Sequence, residues 1–76
     1  MNKARRERIQ EVADNLNSIV SVVEQIKEEE DEYRDNMPEN LQTSEKYEYS
    51  EECSDKMDDV ITSLNEQIEI LQEIGS

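Results

Sequence analysis

The sequence predicts an all-α fold: an antiparallel helical hairpin that self-associates into a dimeric four-helix bundle or a higher oligomer. Three observations carry that expectation. Apolar residues recur at alternating spacings of three and four in two separate segments. The 76 residues hold one Gly and one Pro, too few for the turns of a β-sandwich or barrel. The two apolar stripes are also wider than a single neighbouring helix can cover, so a second chain is expected to share them. Residues 1–76 read as one domain.

The first helix is placed at about Lys3 to Arg34. Ile9, Val12, Leu16, Ile19, Val23 and Ile26 form a heptad seam, with Ile9, Leu16 and Val23 at a and Val12, Ile19 and Ile26 at d. Ala13 and Val20 add the e positions and Val22 a g position. No Gly or Pro interrupts residues 2–36.

Asp35 to Thr43 form the linker. Pro38 cannot continue a helix and turns Met37 away from helical geometry. The spacing of Asn36 and Glu39 suggests a short helical turn.

The second helix is placed at about Ser44 to Ile74, with Thr43 or Ser44 as its N-cap. Met57, Leu64 and Leu71 take a; Cys53, Val60 and Ile74 take d; Ile61 and Ile68 take e, and Ile70 takes g. Gln67 fills a d position in mid-seam, where a buried amide is expected to specify register at some cost in stability. Gly75 is expected to stop the helix as a left-handed C′ residue. Ile9, Val12, Leu16, Ile19, Val23, Ile26, Met57, Val60, Leu64, Gln67 and Leu71 are therefore the expected oligomer core.

Charge is distributed unevenly. The chain has 21 acids and 8 bases, a formal net charge of −13. Residues 1–8 carry Lys3, Arg5, Arg6 and Arg8 against Glu7, whereas residues 28–59 carry 14 acids against Arg34, Lys46 and Lys56. On the first helix this opposes the macrodipole. An antiparallel pair of hairpins relieves the conflict by bringing the Arg end of one chain towards the acidic linker end of the other.

Most enzymatic chemistry is excluded by composition. There is no His, so no Ser–His or Cys–His pair and no Glu-x-x-His di-iron motif. The acid runs lack the spacing and Gly of a calcium loop. One Cys, Cys53, allows no internal disulfide, and its seam position marks a packing residue. The expectation is a protein with no catalytic residues, no metal site and no cofactor. No stretch reaches the roughly 20 apolar residues of a membrane span. The basic N-terminus is not followed by an apolar run and does not read as a signal peptide.

Two binding surfaces remain. Glu48, Glu51, Glu52, Asp55, Asp58 and Asp59 line an acidic flank suited to a basic groove built for nucleic acid. The same net charge makes direct nucleic-acid binding an unfavourable expectation. Alternatively, Arg5, Arg6 and Arg8 offer forks for phosphate, and Tyr33, Arg34, Asn36, Asn40, Gln42, Tyr47 and Tyr49 gather groups that stack on a base or read it. The plainer roles of these groups are solvation and closure of the hairpin.

The run Lys3-Ala4-Arg5-Arg6, the segment Asn36-Met37-Pro38-Glu39-Asn40-Leu41-Gln42 with Ser44-Glu45-Lys46-Tyr47, and the acidic second helix resemble a group of small helical-hairpin proteins. These occur in bacteriophages and mobile elements of Gram-positive bacteria. The resemblance implies a setting, the cytoplasm of an infected bacterium, and carries no residue roles. It suggests a non-enzymatic counter-defence protein. Three modes are open: docking on a host immune protein in the manner of anti-CRISPR or nucleic-acid-mimicking inhibitors, sequestration of a nucleotide immune signal at inter-subunit sites, or assistance in virion assembly.

Overall fold

The computed structural model describes all 76 residues. Helix α1 runs Lys3–Asp35 and helix α2 runs Glu45–Gly75, with a single 3₁₀ turn at Glu39–Leu41 between them. The two helices lie antiparallel as a rod whose Cα extents are 60 × 14 × 12 Å.

Local chemistry explains the ends. Asn2 caps α1: its Oδ1 accepts from the Arg5 backbone N–H at 2.8 Å. Ser44 caps α2 by accepting from the Tyr47 N–H at 3.3 Å, while its own hydroxyl donates to the Leu41 carbonyl at 2.6 Å. Pro38 opens the 3₁₀ turn, its carbonyl accepting from the Leu41 N–H at 2.9 Å. The first turn of α2 carries Glu45 and Glu48, which suits its dipole, whereas the first turn of α1 carries no acid.

The hairpin's core differs from the expected a and d seam. Ala13, Val20 and Ile68, all e residues, are the buried apolar side chains, with Leu16, Ile61, Leu64 and Leu71 packed against them. Ile9, Val23 and Met57 at a are half-buried. The interface is thus an a and e seam, which has the same three-four spacing as a and d but is turned about 50° round each helix. The expected d residues Val12, Ile19, Ile26 and Val60 are exposed, and so is Gln67. The amide of Gln67 therefore plays no part in holding the hairpin together.

Gly75 is also not the left-handed stop expected of it. No residue has a positive φ, and Gly75 is the last helical residue of α2. It faces Gln10 across the seam, where a Cβ would lie 2.9 Å from the Gln10 amide nitrogen. A side chain at position 75 would displace only the flexible end of Gln10.

Candidate functional site

Towards the linker the a and e seam turns polar. Arg34 at e lies between the helices, and its Nη1 donates to Ser50 Oγ at 3.2 Å and to Ser54 Oγ at 2.8 Å. Its Nη2 donates to Asp31 Oδ1 at 2.9 Å. Ser54 donates to the same Asp31 oxygen at 2.6 Å, and Ser50 donates to Glu30 Oε2 at 2.8 Å. Lys27 closes the cluster on Asp31 Oδ2 at 2.8 Å and lies 3.7 Å from Asp58. Ser50 and Ser54 are themselves buried, and no buried side-chain nitrogen or oxygen lacks a partner. The hydrogen bonds from Lys27 and Ser54 hold the Asp31 carboxyl well below the usual carboxylate range, despite partial desolvation. The bond to Asp31 raises the Lys27 ammonium in turn. This network is a register lock. Arg34, expected to belong to the ligand set, is committed to it and faces no open site.

Sequence reasoning missed the lock, although its signal was present. Lys27 and Arg34 are isolated bases within an acid run, one heptad apart, and Ser50 and Ser54 are small residues at seam positions facing Arg34.

The outer faces sort by chemistry. Because the helices run antiparallel with a and e facing, both turn their d and g positions to the same side. Tyr33 and Lys46, d residues on different helices, accordingly line one groove. The eighteen helical d and g positions hold ten apolar residues, four bases and a single acid, Glu29. Val12, Ile19, Val22, Ile26 and Tyr33 of α1 and Tyr49, Val60, Ile70 and Ile74 of α2 all lie here, each between 42 and 69% exposed. By contrast, eighteen of the twenty helical acids occupy b, c or f. Glu48, Glu51, Glu52, Asp55, Asp58 and Asp59 are all exposed on those faces.

Two open grooves mark the ends of the d and g face. A groove of about 400 Å³ near the N-terminus is lined by Arg5, Arg8, Glu11 and Asn15 with Met1, Ile9 and Val12. One of about 620 Å³ at the linker is lined by Tyr33, Asn36, Met37, Pro38, Leu41, Ser44 and Lys46. Within one chain these grooves lie at opposite ends of the rod, so the Arg cluster and the linker polar set do not meet. Arg6 is exposed and does not line the first groove. Asn40 is exposed in the linker, Gln42 contacts the Met37 carbonyl at 3.5 Å, and Tyr47 is half-buried against the hairpin. The Tyr49 phenol is raised by the neighbouring Cys53 thiol, a free cysteine.

No group of three or more His, Cys, Asp or Glu side chains is arranged to hold a metal ion. No helix is long and apolar enough to cross a membrane. No protein-family model, curated protein or solved structure matches the chain.

Proposed function

We propose that this chain is a non-enzymatic phage counter-defence protein that acts as a self-associated acidic bundle. A second copy covers the apolar d and g face, and the outward carboxylates dock on a basic surface of a host defence protein. The observation that carries this reading is the segregation itself. Depletion of acids from an exposed apolar side is the composition expected of a protein interface. Burying that side leaves the carboxylates of α2 in solvent, repeated along a rod, where they match a groove that otherwise holds nucleic-acid phosphates.

The test is protection of a phage on bacteria that carry a defence system, with the chain supplied in trans. Replacing Glu51, Glu52, Asp55 and Asp58 by Ser is expected to abolish protection while leaving mass in solution and helical circular dichroism unchanged. Full protection by that variant would sink the docking reading.

A second reading, sequestration of a nucleotide signal, is favoured by the placement of Arg5 and Arg8 in a groove on the same side as Tyr33, Asn36 and Lys46. Calorimetric titration with cyclic nucleotides and ADP-ribose derivatives separates the two. Under this reading Arg5→Ala with Arg8→Ala abolishes binding, and the acid-to-Ser variant keeps it.

A further inference from the structure

Resting on the self-association proposed above, we infer that the second copy lies antiparallel on the d and g face, its linker end over the helix termini of the first. The halves of the rod differ strongly in charge. The linker half, residues 21–64, carries 15 acids and 4 bases; the terminal half carries 6 acids and 4 bases. A parallel arrangement stacks the two strongly acidic halves on each other. The antiparallel one sets each against a nearly neutral half and so removes most of that repulsion.

The contact face gives the same orientation from its own residue order. Along α1 it reads Arg5, Arg8, Val12, Asn15, Ile19, Val22, Ile26, Glu29, Tyr33. Its apolar centre lies between Ile19 and Val22, with bases at one end and Glu29 and Tyr33 at the other. When two such helices cross antiparallel about that centre, Arg8 of one chain falls beside Tyr33 and Glu29 of the other. Guanidinium over a phenol ring and guanidinium against carboxylate are both attractive contacts. Glu29, the only acid on this face, thereby gains a partner that its own chain does not supply. Each end of the bundle then joins the N-terminal groove of one copy to the linker groove of the other.

Pulsed electron–electron resonance on the full chain tests this directly. With Cys53→Ser removing the native thiol, Thr43→Cys places one spin label on the exposed linker of each copy. At 1.5 Å per helical residue, the antiparallel bundle predicts a label separation of about 55 Å, and a parallel one predicts less than about 30 Å. A two-chain mass by light scattering with the long distance supports the orientation. A two-chain mass with the short distance overturns it while leaving self-association intact. A one-chain mass with no dipolar signal overturns self-association itself. As a second measurement, Arg8→Glu is expected to weaken the dimer at least 10-fold, and Arg8→Glu combined with Glu29→Arg to restore it. A dimer indifferent to Arg8→Glu would contradict the inferred pairing.

Discussion

The two halves of the hairpin are held together by different physics. From the termini to past mid-rod the seam is apolar: Ala13, Leu16 and Val20 against Ile61, Leu64, Ile68 and Leu71. In the linker half the same heptad positions carry Lys27, Glu30 and Arg34 against Ser50 and Ser54. Apolar packing is non-directional, and a slip by one heptad along α2 would still bury Leu or Ile against Leu or Val. The hydrogen-bonded lock tolerates no such slip, because Arg34 would lose both serines and Asp31 would lose Ser54. The apolar packing is therefore expected to supply most of the stability, and the polar network to select the register in which it is realised.

The largest expected effect comes from breaking the apolar half. Ile68→Ala removes the most buried large side chain of the seam and is expected to cost about 2–4 kcal/mol. Urea denaturation followed by circular dichroism measures this; a loss below 1 kcal/mol would mean that Ile68 is not central to the core. Arg34→Ala, in the polar half, leaves Asp31 and two buried hydroxyls short of a donor and is expected to cost about 1–3 kcal/mol. Replacing the Arg34, Asp31, Ser50 and Ser54 set together by apolar residues sharpens the comparison. Stability is expected to recover, while amide exchange and cross-helix contacts in NMR spectra reveal more than one register.

Acid titration separates the halves more gently. The folded-state carboxyl of Asp31 titrates below its unfolded value of 3.8, so the stability it contributes is present above that value and is lost as pH falls further below it. Protonating the other carboxylates relieves self-repulsion and acts in the opposite direction. The informative quantity is therefore the difference between wild type and Asp31→Asn, which is expected to be large at neutral pH and to shrink steadily below pH 4. A difference that stays constant with pH would remove Asp31 from the lock. The smallest effect is expected at Gln67, which is exposed on the d and g face proposed for self-association. Gln67→Leu adds apolar surface there and is expected to tighten self-association by less than about 1 kcal/mol, read from dilution, with no change in the hairpin's internal packing.

Much of this was legible in the chain. Unbroken heptads, Pro38 and the Ser44 cap identify two long helices and their turn because helix signals are local: periodicity, capping and the missing N–H of proline act within a few residues. The acid-rich flank of α2 was legible for the same reason. The lock was only half legible: Lys27 and Arg34 stand out as bases within an acid run, but nothing near Arg34 announces that Ser50 and Ser54 lie across from it.

What the sequence by itself determined is the helical hairpin and the width of its apolar stripe, spanning a, d, e and g. Which part of that stripe closes the hairpin was decided by the tertiary structure. Both a with d and a with e have coiled-coil spacing, and periodicity alone cannot choose between them. The choice falls to the partners met across the seam. Ala13 allows close approach, and Ser50 and Ser54 satisfy Arg34. With a and e taken, the d and g residues are left as one apolar side, which follows from antiparallel geometry and from no single residue.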